Sequence, residues 1–259
     1  MNFGICLLSI IPVRKEPSDK SEMVNQLLFG DLVTITGVND SWLNITSDFD
    51  GYEGWIDRKQ IHMFNVHEFS RLKSLTEGIT PGLINKVFSL TEGRSYKVMP
   101  GSSIRGIKIT GFEIHGLKYS YSGNLLKAGD QPLPLSVISH ARLFLNAPYL
   151  WGGRSPFGID CSGLVQIAFK MAGIALKRDA RQQAEQGILI SFLEEAAPGD
   201  LLFFDNDEGR IVHVGILVEN HRILHASGEV RIDPVDTHGI YHQEKGLYTH
   251  NLRLIRRVI

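Results

Sequence analysis

Cys161 and His213 are the residues of this 259-residue chain whose types and surroundings best fit covalent chemistry. Cys161 lies in Gly158-Ile159-Asp160-Cys161-Ser162-Gly163, where loop chemistry gives way to the helical spacing of Leu164, Val165, Ala168, Phe169 and Ala172, with Gly173 as the stop. A thiol in the first helical turn points at amides without intrahelical acceptors and at the positive end of the helix dipole, which lowers its pKa toward the nucleophilic thiolate. The plain alternative is a buried structural cysteine, the reading given to Cys6, and a bridge between the two thiols is a further option. The matching base is His213, which opens the apolar run His213-Val214-Gly215-Ile216-Leu217-Val218. With Glu219-Asn220-His221 as a hairpin loop, Val218 faces Arg222 and His213 faces Ser227, so His225 is a diagonal neighbour of His213 on the same face. Gly215, opposite His225, leaves room for the rings. A general base needs one ring nitrogen toward the thiol and the other held by a partner, which a second histidine can supply. The alternative is two unrelated, half-buried histidines.

Positioning these groups takes a helix and a sheet, and the sequence offers both after residue 134. Leu135–Leu145 carries helical spacing at Val137, Ile138, Ala141 and Leu145. Asp200–Phe204, Val212–Val218, Arg222–Ser227 and Leu252–Val258 alternate or run apolar like strands of an antiparallel sheet. Residues 135–259 are therefore expected to form one α+β domain of helix, loop, helix and strands, set off by the stiff Pro132-Leu133-Pro134. The first third reads as short strands between turns: Ile5–Val13, Leu32–Val38, Trp42–Thr46 and Gly54–Ile56. Over residues 1–62 this resembles a bacterial SH3-like domain, on Pro12-Val13-Arg14, Gly30-Asp31, Trp42 and Tyr52-Glu53-Gly54-Trp55-Ile56. Residues 63–134 carry Ser102–Thr110, Phe112–His115 and Lys118–Ser122 between glycines. They are read as a second, divergent SH3-like barrel in preference to a generic β-rich connector.

Within 135–259, Pro148-Tyr149-Leu150-Trp151-Gly152-Gly153, Asp160-Cys161-Ser162-Gly163, Arg178-Asp179-Ala180, Pro198–Phe204, His213-Val214-Gly215-Ile216 and His225-Ala226 follow one another in a telling order and spacing. The domain strongly resembles the NlpC-type cysteine peptidases of bacterial cell-wall metabolism. That resemblance implies a circularly permuted papain-like fold with Cys161 as nucleophile, His213 as base and His225 as the residue orienting the base. It also places the Tyr149 hydroxyl near the nucleophile, where it could hold the oxyanion together with the Cys161 amide. Members with SH3-like domains ahead of the peptidase are similar to the γ-D-glutamyl-L-diamino-acid endopeptidases. These cut between D-γ-glutamate and meso-diaminopimelate or lysine, favour fragments with a free L-alanine amine, and recycle stem peptides.

In that subgroup the groove is closed at one end and carboxylates clamp the substrate ammonium, since a buried cation needs anionic and hydrogen-bonding partners. Asp160, Ser162 and Asp179 match the positions for this task, Glu53 is the candidate from the SH3-like wall, and Trp151 is placed with them. Plainer readings stand beside these. Asp160 or Ser162 could cap the helix, Asp179 could pair with Arg178 or Arg181, Glu53 could be an exposed strand residue, and Tyr149 and Trp151 could be core aromatics. Tyr96, Tyr119 and Tyr121 are the candidates to cover an alanine pocket. Other readings of the same scaffold are a remodelling hydrolase of intact peptidoglycan, a thiol acyltransferase, or a cell-wall-binding module.

Composition removes several other classes. With 27 basic against 28 acidic residues and a net charge of -1, the chain has no global field to gather nucleic acid or anionic lipid. The longest apolar stretch, Ile5–Val13, is interrupted by Ser9 and Pro12 and is too short to span a membrane. The opening residues lack a basic segment and a small-x-small cleavage site, so the expectation is a cytoplasmic monomer, or a periplasmic or envelope protein had a leader been removed. His238, His242, Glu244 and His250 could be read as metal ligands, but Gly239 argues against a helix that would align them. No phosphate loop or dinucleotide fingerprint occurs. No metal or cofactor is expected, and the expected partner is a peptidoglycan-derived peptide, L-Ala-γ-D-Glu-diamino acid.

Overall fold

The computed structural model describes residues 2–127, 134–219 and 221–259, and the chain forms two compact units, Met1–Asp130 and Gln131–Ile259. The first opens with seven strands: β1 (Asn2–Cys6), β2 (Ile10–Arg14), β3 (Met23–Leu28), β4 (Leu32–Asn39), β5 (Trp42–Ser47), β6 (Glu53–Asp57) and β7 (Ile61–Phe64). They make one sheet in the order β3-β2-β6-β5-β4-β1-β7. Alternation drives it: β5 buries Leu43, Ile45 and Ser47 and leaves the residues between them half-buried. The expected strand Ile5–Val13 breaks at Leu7–Ser9 into β1 and β2. Strand β3 ends in four consecutive buried residues, so it lacks the alternation by which the other strands can be read.

Helix α1 (Val66–Ser74) follows, its first amides capped by the Asn65 side chain. Strands β8 (Glu77–Ile79), β9 (Asn85–Ser89), β10 (Arg94–Val98), β11 (Ser103–Arg105), β12 (Gly111–Ile114), β13 (Leu117–Tyr121) and β14 (Leu126–Lys127) build two small sheets, β10-β9-β13-β12 and β11-β8-β14. One apolar core runs from Phe3, Ile5, Phe29 and Phe64 through Leu72 to Val87, Phe112, Tyr119 and Tyr121. A shared core joins the two β regions into a single unit, and the boundary expected at residue 62 falls inside β7.

The second unit carries α2 (Pro134–Arg142), β15 (Arg154–Ser155), β16 (Gly158–Ile159), α3 (Cys161–Met171), α4 (Ala180–Gln183) and then β17 (Ile188–Ile190), β18 (Leu201–Asp205), β19 (Ile211–Glu219), β20 (Arg222–Ser227), β21 (Glu229–Pro234), β22 (Gly239–His242) and β23 (Leu247–Arg257). Its sheet runs β17-β23-β18-β19-β20-β21, with β22 paired to β23. Of the expected Pro132-Leu133-Pro134 boundary, Pro132 and Leu133 lie outside the described residues, and Pro134 opens α2. Every residue of α3 is buried, which explains why most of them are apolar, with Ser162, Gln166 and Lys170 as the buried polar exceptions. The helix packs on β19 and β20, the strands that carry the two histidines. Both cysteines are free thiols, and no helix among the described residues is long and apolar enough to cross a membrane.

Candidate active site

The start of α3 is held by one carboxylate. Asp160, the N-cap, accepts the Gly163 amide on Oδ1 at 2.7 Å and the Gly152 amide on Oδ2 at 2.8 Å. Arg178, wholly buried, donates to both oxygens at 2.9 and 2.6 Å and to Ser162 Oγ at 2.8 Å. A buried guanidinium and carboxylate tolerate this desolvation because the fork geometry and the two amides satisfy them together. Gln183 of α4 donates to the carbonyls of Ser162 and Lys177, fastening the Arg178 loop to the first turn of α3. Asp160 is thus a cap, and Arg178 is its buried ion-pair partner; the reading that set Arg178 beside Asp179 on a solvated face does not hold. Asp179 is exposed and caps α4.

Cys161 is the first residue of α3, and the backbone amides of Val214 and Ser162 lie near enough to its sulfur to favour the thiolate. Val214 adjoins His213, so β19 brings the imidazole strand to the thiol. Burial pushes the thiol up to about 12, with Asp160 adding to the rise and the two amides and Arg178 only partly opposing it. The expectation of a lowered thiol pKa is therefore corrected. A helix terminus contributes roughly 0.3–1 kcal/mol, up to ~2 when partly buried, whereas full burial can move a pKa by about 3–5 units, so burial wins. The resting nucleophile is a neutral thiol that needs a base.

That base sits on a relay. His213 Nε2 is 2.9 Å from His225 Nδ1, and His225 Nε2 is 3.0 Å from Asp233 Oδ2, with all three residues buried. Burial alone would raise the Asp233 carboxyl, but hydrogen bonds from His225 and Arg231 outweigh it and bring it to about 2. Arg231 grips both oxygens, Nε at 2.7 Å and Nη2 at 2.9 Å. An ionised Asp233 can only accept, so His225 carries its proton on Nε2 and offers the bare Nδ1 to His213. His213 must then be protonated on Nε2, which leaves its Nδ1 free to take a proton. Burial, then the neighbouring imidazoles of His225 and His250, hold His213 well below the ordinary histidine range, so the free nitrogen stays unprotonated at neutral pH. Gly215 pairs with His225 as the hairpin geometry requires, and a Cβ there would meet the His225 Cβ at 2.9 Å and Ile223 Cδ1 at 2.6 Å. The loop is shorter than expected: Glu219 pairs with Arg222, a register shift after Leu217 absorbs the difference, and Asn220 lies outside the described residues.

With this geometry in view, known proteins supply a comparison. Residues 146–248 match the NlpC/P60 family, and residues 13–61 match the bacterial dipeptidyl-peptidase SH3 domain. The chain carries an NlpC/P60 domain. It is similar to two proteins named gamma-D-glutamyl-L-lysine dipeptidyl-peptidase. That of Bacillus subtilis is 29% identical over 78% of this chain and 71% of its own length, and that of Bacillus cereus is 26% identical over 88% and 75%. A crystal structure of an NlpC/P60 family protein from Bacillus cereus aligns over 99% of both chains with a TM-score of 0.84 at 20% identity, which shows the shared fold.

Within the NlpC/P60 domain, Tyr149 is half-buried, and its phenol is raised by burial and then by the nearby Cys161 and Asp160. Trp151 is 58% exposed, which removes the core-aromatic reading. Glu53 lies exposed on β6 of the first unit. In that unit Tyr119 and Tyr121 are buried core residues and Tyr96 donates to Glu92. The would-be metal ligands scatter: His238 lies beside Asp236, His242 beside Arg231, and His250 against His213. Among the described residues no group of three such side chains could hold a metal. Sequence reasoning missed Asp233 and Arg231. The signal available was their i, i+2 spacing, which puts both on the face of β21 that pairs with His225, but Gly228 and the charged Glu229 and Arg231 disguise the strand, whose burial does not alternate.

Proposed function

We propose that the chain is a cysteine peptidase that hydrolyses the γ-D-glutamyl–diamino acid bond of peptidoglycan stem peptides carrying a free N-terminal L-alanine. What carries the reading is the neutral Cys161 thiol backed by a tautomer-fixed His213, in an NlpC/P60 domain that follows a dipeptidyl-peptidase SH3 domain. His213 Nδ1 takes the thiol proton as sulfur attacks the γ-carbonyl carbon of D-glutamate. The C–N bond breaks, the diamino acid amine leaves with the proton from His213, and a thioester remains. Water, deprotonated by His213, then releases L-Ala-γ-D-Glu and restores the thiol. The Cys161 amide, without an intrahelical acceptor in the first turn, and the Tyr149 hydroxyl stabilise the oxyanion. Ser162, Asp179 and Trp151 serve substrate binding, with Arg178 and the capping Asp160 fixing the first turn that carries Ser162. A free alanine amine marks released fragments, which supports recycling of stem peptides over attack on the intact wall.

The test incubates the protein with L-Ala-γ-D-Glu-L-Lys, its diaminopimelate counterpart and the N-acetylated form of each, reading products by mass spectrometry. Cleavage of the free-amine peptides alone is expected. Equal cleavage of acetylated peptides or intact sacculi would replace the recycling reading with wall remodelling, and transfer to an added amine in place of hydrolysis would make the enzyme an acyltransferase.

A further inference from the structure

His250 has no role in the mechanism above, yet its ring stacks on that of His213, centroids 4.2 Å apart and planes 28° from parallel. It comes from β23, where alternation turns His250, Leu252 and Leu254 inward and Thr249, Asn251 and Arg253 outward. The same ring lies 5.9 Å from His225 and meets Phe204 edge-on at 6.0 Å. It therefore sits over the base and beside the 2.9 Å His213–His225 hydrogen bond. Its Nδ1 is 2.9 Å from Thr249 Oγ1, which sets the ring plane.

We propose that His250 is a positioning residue: an aromatic lid that keeps the His213 ring in the plane demanded by His225 and shields their hydrogen bond from water. The inference rests on His213 being the base. Two physical effects give the lid its value. A hydrogen bond kept from water is electrostatically stronger, and when His213 accepts the thiol proton, the face of an uncharged ring attracts the new cation. The ionisable groups facing His250 are His213, His225 and, farther off, Asp233. Burial and then His225 hold His250 down to about 4, against the pull of Asp233, so the lid is uncharged at neutral pH.

The experiment compares His250→Ala and His250→Phe with the natural protein by two readouts: peptide hydrolysis, and alkylation of Cys161 by iodoacetamide, located by mass spectrometry. Alkylation reports base-assisted thiolate formation whatever the substrate proves to be. His250→Ala is expected to lower kcat about tenfold with KM within about twofold, to slow Cys161 alkylation at neutral pH by a similar factor, and to melt as the parent does. His250→Phe restores both rates to within about threefold, since it keeps the ring face. If His250→Ala matches the parent in both readouts, or His250→Phe is as impaired as His250→Ala, the lid is overturned. Should His250→Ala fail to fold, His250→Asn is judged by the same criteria. His213→Ala separates the two claims: unchanged alkylation there would sink the base assignment itself.

Discussion

Among the described residues two histidine pairs meet nitrogen to nitrogen at nearly the same distance, and only one of them is built for catalysis. His62 Nε2 lies 3.0 Å from His115 Nδ1 in the first unit, and His213 Nε2 lies 2.9 Å from His225 Nδ1 in the NlpC/P60 domain. The same two nitrogens meet in both, and both pairs have a carboxylate close by. The difference is where the carboxylate acts. Glu68 accepts the backbone amide of His115 and is occupied by Arg71, so it leaves the imidazole tautomers of its pair unassigned. Asp233 accepts from the imidazole of His225, and that one contact sets the proton position on both rings. Burial completes the contrast: His115 is exposed, whereas His213 and His225 are 5% and 1% exposed. A short His–His contact is thus a poor functional signal by itself, and an ionised anchor at its far end is a good one.

The largest effect should follow from removing the members of the anchored pair that touch the substrate chemistry. Cys161→Ala and His213→Ala are each expected to reduce kcat by about 10⁴-fold or more while substrate binding survives, because nucleophile and base act as a unit. Hydrolysis of L-Ala-γ-D-Glu-L-Lys measures the first, and calorimetric titration of the inactive variants with that peptide measures the second. A Cys161→Ala protein with parental turnover would end the thiol mechanism.

Next in size is the anchor. Asp233→Asn no longer forces the His225 proton onto Nε2, so kcat should fall by roughly 10²-fold with little change in KM. It also carries a stability signature whose sign can be worked out. The folded carboxyl sits at about 2, below the ordinary 3.8, so its contribution of about 2 kcal/mol is fully present well above pH 4 and disappears as pH falls toward 2. Urea unfolding at pH 6 and pH 2.5 should show that loss in the parent and not in Asp233→Asn. Equal acid sensitivity in both would mean that Asp233 is not held ionised by the relay.

The sequence makes one half of this comparison readable and hides the other. Cys161, His213 and His225 are legible because a helix start and a hairpin are local: the stop at Gly173 and the pairing of Gly215 with His225 both depend on neighbours a few residues away. Asp233 is hidden because its meaning depends on a third strand, β21, whose charged residues resemble a solvated loop until pairing with β20 places Arg231 opposite His225. The thiol pKa is hidden for a related reason. A helix terminus is visible in sequence, whereas the complete burial of α3 on its sheet is a tertiary fact, and burial is the stronger effect. Likewise the division at residue 62 ignores a core that only folding brings together, where Phe3 and Phe29 meet Phe112 and Tyr119.

A third prediction concerns pH. His213 must be neutral to accept the thiol proton, and its pKa lies well below 6.5, chiefly through burial. The acid limb of kcat/KM should therefore fall below pH 6.5 in place of tracking an ordinary histidine, and rates at pH 6 and pH 7.5 should be nearly equal. A midpoint at 6.5 or above would show that the pair is solvated during turnover and would erase its distinction from the exposed pair.

The smallest effect belongs to that exposed pair. His62 is also lowered, first by burial and then by His115, with Glu68 and Glu92 opposing, but nothing locks its partner. The two rings meet edge-on, centroids 5.2 Å apart, in a solvated setting. Such a contact is worth little, because water replaces it and exposed charges are screened. His62→Ala should therefore cost less than about 1 kcal/mol in urea unfolding at pH 7.5, and Glu68→Gln about as little, since the partner Arg71 is exposed although Glu68 itself is half-buried. Were either substitution to destabilise the unit by several kcal/mol, the exposed pair would be a structural anchor in its own right, and solvent exposure would lose its standing as the property separating the two pairs.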